Sequence, residues 1–140
     1  MEIQCFHLML VKVLFRKKKK GSYHIKLTSY DRVELIEKDG IKISVNHIHK
    51  VLRDSWRAPC SFQQNTMNEL VSYLGYTDWN DFLLRHPVPK TIQLYTGMLS
   101  ARAYKELEEK VCRLAEKETI NTNDAEKPKP VQLKIEFPEQ

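Results

Sequence analysis

Residues 74–83, "LGYTDWNDFL", place a glycine, two aromatic residues and a threonine between two short apolar segments. Gly75 can adopt the left-handed conformation that ends a helix, and Tyr76 can then pack back over the last helical turn. Thr77 can cap a second helix, with Asp78 at the positive end of its dipole. The stretch therefore predicts two short helices that meet at a sharp angle over a shared aromatic core.

The segments on either side of this junction have helical patterns. Upstream, Thr66 and Glu69 fit a capping box, in which each side chain bonds the other residue's backbone N–H. An apolar stripe follows at helical spacing: Met67, Leu70, Val71 and Leu74. Downstream, three apolar side chains are predicted to turn inward: Trp79, Phe82 and Leu83. Pro87 and Pro89 end this second helix.

Residues 30–39 are open to two interpretations. Their apolar residues recur at helical spacing, with Ser29 as a candidate N-cap and Gly40 as the C-terminal stop. Residues 33–45 also fit a β-hairpin with an Asp-Gly turn and alternating apolar residues. Local pattern does not separate the helix from the hairpin.

Residues 45–53 predict a short helix capped by Ser44, with one apolar face and one polar face. The polar face contains the candidate DNA contacts, which are Asn46, His47, His49, Lys50 and Arg53. Asparagine can pair with adenine edges, arginine with guanine, and lysine mostly with phosphate. The alternative is a solvated polar face without a ligand.

Two segments alternate apolar and polar residues as strands do. Residues 23–28, "YHIKLT", and residues 131–137, "VQLKIEF", predict a small peripheral β component. Residues 5–15 are apolar without a clean period. A helix is slightly favoured there over a strand paired with 23–28. Residues 119–130 are polar and contain proline, which is typical of a linker.

Residues 100–118 predict a helix whose apolar side chains form a narrow seam: Tyr104, Leu107, Val111 and Leu114. Two heptads are too few for an isolated coiled coil, so the seam must dock on the chain's own core or on a partner, including a second copy. The predicted organisation has four parts: a basic segment over 1–28 that packs on the core, a DNA-binding domain over 29–90, a helix within 91–118, and a linker with a terminal strand or tail over 119–140.

Positive charge is concentrated at one end of the 140-residue chain. Residues 1–60 contain 13 Lys/Arg against 6 Asp/Glu, whereas the whole chain has a net charge of +5. This asymmetry is what a phosphate-binding surface requires, because neutralised phosphates release their counterions. Candidate phosphate contacts are Lys17, Lys18, Lys19, Lys20, Lys42 and Arg57. The alternative is a solvated basic loop.

Several functional classes find no support in the sequence. Three cysteines without a CxxC pair, Cys5, Cys60 and Cys112, argue against a disulfide scaffold or structural zinc and suit a reducing cytoplasm. The basic run follows the apolar segment 5–15, the reverse of a signal peptide, and Lys12 interrupts that segment, so neither export nor a membrane span is expected. No nucleotide-binding or catalytic motif occurs, so we expect neither an enzyme nor a cofactor or metal.

Two motifs carry a family resemblance: "ISVNHIHKVL" over 43–52 and "TMNELVSYLGYTDWNDF" over 66–82. With them, segment 29–85 resembles the helix-turn-helix domain of Cro and the phage repressors. It is more similar still to bacterial helix-turn-helix proteins with "TLDxLAxYLGYxxWxDF". The resemblance implies that helix 45–53 enters the major groove. Two features differ from the family: the turn over 40–44 is longer, and Asn46-His47-Ile48 replaces the usual Thr-Leu.

The sequence therefore predicts a mainly α, repressor-like helix-turn-helix bundle with a small β component. The alternative fold is α+β, with N-terminal β-hairpins followed by helices. The expected function is sequence-specific binding of duplex DNA, as a transcriptional regulator or a mobile-element accessory protein. The alternative is a protein-interaction module that docks a partner through 104–114 or the C-terminal strand.

Overall fold

The computed structural model describes residues 2–53 and 62–122, with side chains up to 117, and is mainly helical. These ranges contain six helices and no strand: α1 (Cys5–Lys20), α2 (Ser29–Glu37), α3 (Val45–Leu52), α4 (Gln64–Tyr73), α5 (Trp79–Arg85) and α6 (Ala101–Thr122). No helix in this part of the chain is both long and apolar enough to cross a membrane. Arg57 and the predicted strand 131–137 lie outside the described residues.

Helix α1 is the centre of the fold. Eleven of its 16 residues are buried, on all sides of the helix, because other helices surround it. This is why the apolar segment 5–15 has no clean helical period: a helix with a single buried face would show one. The favoured helix is confirmed and continues to Lys20, where Gly21 ends it with a φ of 82°. A partly buried ion pair of 2.7 Å between Arg16 and Glu108 joins α1 to α6.

The predicted strand over 23–28 is wrong. These residues form a turn followed by irregular chain, because helix α1 occupies the place of the partner strand. Side chains satisfy part of the backbone instead. Arg16 donates to the carbonyl of Tyr23 at 3.2 Å, and Arg32 donates to the carbonyl of Leu27 at 3.0 Å. Tyr23 and Leu27 are buried, but Ile25 between them is 49% exposed, so the three do not form one buried face.

Residues 30–45 form a helix and its connection, so the hairpin alternative and the α+β fold built on it are wrong. The cap is Thr28, one residue before the predicted Ser29. Thr28 Oγ1 accepts from the Asp31 N–H at 3.1 Å, and Asp31 Oδ2 accepts from the Thr28 N–H at 2.9 Å. This reciprocal pair fixes the start of α2. Gly40, with a φ of 81°, lies in the connection to α3.

The junction between α4 and α5 has the predicted geometry. Gly75 has a φ of 107°, its N–H donates to the carbonyl of Ser72 at 3.0 Å, and the Tyr76 N–H donates to that of Val71 at 2.9 Å. These two bonds make a Schellman motif, which satisfies carbonyls at the end of α4. Tyr76 is buried, as predicted.

Both predicted N-caps in this region are displaced. Helix α4 begins at Gln64, so Thr66 lies buried in its first turn and the capping box is wrong. Asp78 caps α5 instead of Thr77, because its carboxylate accepts from the Asp81 N–H at 2.8 Å. The Trp79 N–H donates to Asn68 of α4 at 2.8 Å and so joins the two helices.

The shared aromatic core is confirmed and extends to two buried histidines. Phe82 stacks on Trp79 with centroids 5.2 Å apart and meets Tyr76 edge-on at 4.9 Å. His7 Nε2 donates to the carbonyl of His86 at 2.6 Å, and the Tyr76 hydroxyl lies 2.7 Å from His86 Nε2. Burial lowers the pKa of His7 to about 4. Burial and nearby positive charge lower the pKa of His86 to about 3. Both rings are therefore neutral at pH 7.

The seam of α6 packs on the chain's own core. Tyr104 and Val111 are buried, and Leu107 and Leu114 are partly buried against the same cluster. The seam therefore contributes to the core next to α1, and its two buried members are not exposed to a second copy.

Candidate nucleic-acid interface

Helix α3 separates its buried and exposed residues cleanly. Ile48, Val51 and Leu52 are buried. Asn46, Lys50 and Arg53 have exposed side chains, and their spacing of i, i+4 and i+7 places them in one stripe along the helix. We call these three residues the α3 stripe. Three of the five predicted DNA contacts therefore share one solvent-facing row.

The start of α3 is fixed by its cap. Ser44 Oγ accepts from the N–H of His47 at 3.2 Å, and the same oxygen lies 2.9 Å from Nδ1 of the His47 ring. This ring is half-buried. His47 is thus turned toward its own cap and lies beside the α3 stripe instead of within it.

His49 joins α3 to α2. Arg32 Nε donates to His49 Nδ1 at 2.7 Å, so the ring accepts at that nitrogen and is neutral in this arrangement. Burial, followed by the charge of Arg32, lowers the pKa of His49. The ring of His49, a predicted base contact, is therefore hydrogen-bonded to Arg32. This bond joins α2 to α3.

A buried lysine holds the other end of α3. The ammonium of Lys12, in the middle of α1, donates to the carbonyl of Arg53 and to the hydroxyl of Tyr104. It also lies 4.6 Å from the centre of the Tyr104 ring. A cation at the C-terminal end of a helix is favourable because the last carbonyls carry partial negative charge. Lys12 therefore connects α3 to both α1 and α6.

Two of the four lysines in the basic run are neutralised by carboxylates of the same chain. Lys19 lies 2.9 Å from both Glu34 and Asp39, and Lys20 lies 3.0 Å from Asp31. Burial disfavours the charged form of Lys19, but its bonds to Glu34 and Asp39 outweigh burial and raise the pKa of the ammonium. These two predicted phosphate contacts hold α2 and its C-terminal connection against the end of α1.

Lys17 and Lys18 are exposed, and the ammonium group of each donates to a backbone carbonyl. Lys17 donates to the carbonyl of Gly21 at 3.3 Å. Lys18 donates to the carbonyl of Tyr73 at 2.6 Å, and its ammonium lies 4.1 Å from the centre of the Tyr73 ring. The charge of Lys18 also helps to lower the pKa of Asp39. Both ammonium groups remain exposed, so an anionic ligand can reach them.

Lys18 and Lys42 flank the same face of α4. The Lys42 N–H donates to Glu69 at 3.5 Å, one helical turn before Tyr73, which Lys18 contacts. Lys42 is exposed and lies two residues before the cap of α3. The fold thus brings a lysine from the basic run close to the start of α3, although 24 positions separate the two lysines in sequence.

The charged side chains of the segment that contains α3 are all positive. Residues 40–53 contain Lys42, Lys50 and Arg53 and no Asp or Glu. These residues offer donors and positive charge, and the carboxylate of Glu69 on α4 lies beside them at Lys42. Such a surface suits the acceptor-rich edges of base pairs and the phosphates beside them.

Two residues that organise this interface were not among the predicted sites. Lys12 and Arg32 are the side chains that hold the two ends of α3. A lysine inside an otherwise apolar helix is the signal that could have identified Lys12, because such a charge requires buried partners. Within residues 2–53 and 62–122, no three His, Cys, Asp or Glu side chains lie close enough together to hold a metal ion.

Comparison with known proteins adds no relative: no family model, no curated protein and no solved structure matches this chain.

Proposed function

We propose that this protein binds duplex DNA by placing α3 in the major groove, as a small transcriptional regulator or a mobile-element accessory protein. The observation that carries the proposal is the α3 stripe. Its three side chains are a hydrogen-bonding amide and two cations, all exposed on one row of a helix whose opposite face is buried. A major groove admits one helix and is read by residues of this kind.

In this proposal the three stripe residues have different roles. Asn46, in the first turn of α3, pairs with an adenine edge, and Arg53 pairs with a guanine edge or a phosphate. Lys50 contacts phosphate. Lys42 and Lys18 extend the positive surface beyond the start of α3 and contact the flanking backbone. Lys19 and Lys20 support α2 through their carboxylate partners and are not assigned to DNA.

The contacts that hold α3 support the same function. Recognition of base edges needs side chains held in a defined position, which rigid supporting contacts provide. Arg32 holds the ring of His49, and Lys12 holds the last carbonyl of the helix. The order of four short helices over 29–85 also agrees with the resemblance to repressor-like domains. In that family the second of these helices is the recognition helix.

The test is fluorescence anisotropy of a labelled random-sequence duplex, titrated at several salt concentrations. Wild-type protein should bind with a dissociation constant of about 10⁻⁶ to 10⁻⁴ M near physiological salt, and more tightly at lower salt. The double variant Lys50→Ala/Arg53→Ala should bind more weakly. If both residues contact phosphates, the slope of log affinity against log salt should fall by roughly 2.

The matched control is Lys26→Ala/Lys105→Ala, which removes the same charge from exposed positions in the α1–α2 connection and in α6. It should change binding little. Equal losses in the two double variants would mean that net charge, and not α3, determines binding. Absence of wild-type binding at low salt would reject the DNA proposal itself.

A further inference from the structure

The hydrogen bond between Arg32 and His49 exists only while the imidazole ring is neutral. Arg32 Nε donates to His49 Nδ1 at 2.7 Å. A guanidinium has no acceptor, so Nδ1 must supply the lone pair and the ring must have its proton on Nε2. A second proton, bound at Nδ1, would turn this acceptor into a donor and break the bond. The polar link between α2 and α3 therefore depends on the protonation state of one ring.

The described charged side chains around this ring are cations. Helices α2 and α1 pack most closely against α3. Arg32 faces the ring from α2, and Lys50 and Arg53 neighbour it in and after α3. From α1, Lys12 donates to the carbonyl of Arg53, whose N–H donates to the carbonyl of His49 at 3.1 Å. Within the described residues no carboxylate forms an ion pair with His49, so a proton on the ring has no anionic partner there.

A nucleic-acid phosphate can supply that partner, because the ring borders the α3 stripe. His49 lies three residues after Asn46 and four before Arg53, so it neighbours both on the helix surface. The ring is half-buried, and the side chains of Asn46 and Arg53 are exposed. A phosphate that contacts Arg53 is brought beside this ring, and an anion within about 4–6 Å favours the charged form. The imidazolium would then add one cation to the stripe.

We propose that DNA binding at α3 is coupled to the uptake of one proton by His49. This coupling rests on the proposed function and makes the same site sensitive to pH. On binding, a proton from water adds to Nδ1, the bond from Arg32 is lost, and the imidazolium pairs with a phosphate. Arg32 keeps its bonds to the carbonyl of Leu27 and the hydroxyl of Ser29, so it stays bound at the start of α2. Lys12 still holds the end of α3.

Linkage gives the direction and the upper limit of the effect. Because the complex binds more protons than the free protein, affinity rises as pH falls. Uptake of one proton limits the rise to about tenfold per pH unit. His7 and His86 stay neutral in the folded chain between pH 7.5 and pH 6.0, because burial, as the larger cause, lowers their pKa values to about 4 and about 3. A change in affinity over this range therefore does not come from the buried pair.

The experiment is fluorescence anisotropy of the labelled random-sequence duplex at pH 7.5 and pH 6.0, at one salt concentration. The full chain is used as wild type, as His49→Gln and as the control His24→Gln. Glutamine at position 49 can accept from Arg32 but does not titrate. His24 is exposed in the α1–α2 connection and is bonded to Glu116, so its proton has a partner within the chain. Circular dichroism at both pH values checks that each chain is folded.

Wild type and His24→Gln should bind roughly fivefold more tightly at pH 6.0 than at pH 7.5, and His49→Gln should lose most of this gain. Equal gains in wild type and His49→Gln would overturn the coupling and leave the proposed function intact. Loss of the gain in both variants would also overturn it, because the effect would then not belong to one ring. Absence of wild-type binding at both pH values would reject the proposed function and the coupling together.

A further variant separates proton coupling from a purely structural role of Arg32. Arg32→Ala removes the cation that disfavours a charged ring, so the rise in affinity should begin at higher pH than in wild type. A structural role alone would change affinity by the same factor at every pH, and that result would overturn the coupling. In the DNA-free protein, ¹⁵N spectra of the His49 ring at pH 7.5 should show a proton on Nε2 and none on Nδ1. A proton on Nδ1 at this pH would equally contradict the coupling.

Discussion

Acidification from pH 7 to pH 5 should destabilise the protein through its two buried histidines. In the folded chain, burial lowers the pKa of His7 to about 4, and burial together with neighbouring positive charge lowers that of His86 to about 3. In the unfolded chain both rings titrate near their ordinary value of about 6.5. The unfolded state therefore binds more protons below that value, and the contribution of each neutral ring to stability, complete above pH 6.5, decreases as pH falls toward the folded pKa.

The size of the effect follows from these values. Between pH 7 and pH 5, each histidine should lower the free energy of unfolding by about 2 kcal/mol, or about 4 kcal/mol for the pair. This is a large part of the 5–15 kcal/mol that is typical of a small domain. The carboxylates with lowered pKa values, such as Asp31 and Asp39, contribute little in this range, because they release their protons at lower pH. The lowered pKa of His49 acts in the same direction as those of the buried pair.

The assay is urea unfolding at pH 7 and pH 5 for wild type, His7→Gln and the control Ser72→Ala. Glutamine can keep an N–H donor for the carbonyl of His86 but does not titrate, so His7→Gln should lose about 2 kcal/mol of the pH dependence. Ser72 is exposed and carries no titratable group, so Ser72→Ala should retain the wild-type dependence. The reasoning is refuted if His7→Gln and wild type lose the same stability on acidification. It is equally refuted if the ring of His7 titrates near pH 6.5 in NMR spectra of the folded protein.

Three further predictions concern contacts that support α3 and the α4–α5 junction. Lys12→Met should lower the free energy of unfolding by about 1–3 kcal/mol in urea denaturation, because it leaves buried acceptors without their donor; an unchanged value would mean that the ammonium contributes nothing net. Arg32→Ala should raise the pKa of His49 in an NMR titration, though only part of the way, because burial is the larger cause of its lowering; a fall would contradict the contact. Gly75→Ala should lower the melting temperature through a strain of about 1–2 kcal/mol at positive φ, whereas Ser72→Ala on the exposed face of α4 should not.

Local chemistry made part of the fold predictable. The predicted end of α4 is confirmed, because a glycine followed by a buried aromatic residue specifies a Schellman motif within six residues. The predicted helix α3 is confirmed, because its signals are local: the Ser44 cap and the apolar spacing lie within about two helical turns. The N-cap residues are harder to predict, because several neighbouring side chains could each accept the capping hydrogen bond. Thr28 and Asp78 were each one residue from the predicted position.

Long-range contacts explain what local pattern missed. The roles of Lys19 and Lys20 depend on carboxylates of α2 and its C-terminal connection, which only the packing of that region on α1 brings within reach. In sequence, both lysines look like surface charge. Residues 23–28 have a strand pattern, but a strand must pair with a second strand. The predicted pairing partner was residues 5–15, and these form helix α1 instead. For the interface, residue types predicted the polar face of α3, whereas the engagement of His49 by Arg32 depended on how α2 packs against α3.

The most direct test of the central claim is an NMR titration of ¹⁵N-labelled protein with a short DNA duplex at low salt. If α3 enters the groove, the largest shift changes should fall on the backbone amides of residues 42–53 and on the side-chain amide of Asn46. Amides of α5 and of residues 105–117 should change little. The account is contradicted if the largest changes lie on α5 or α6, or if saturating DNA leaves residues 42–53 unperturbed.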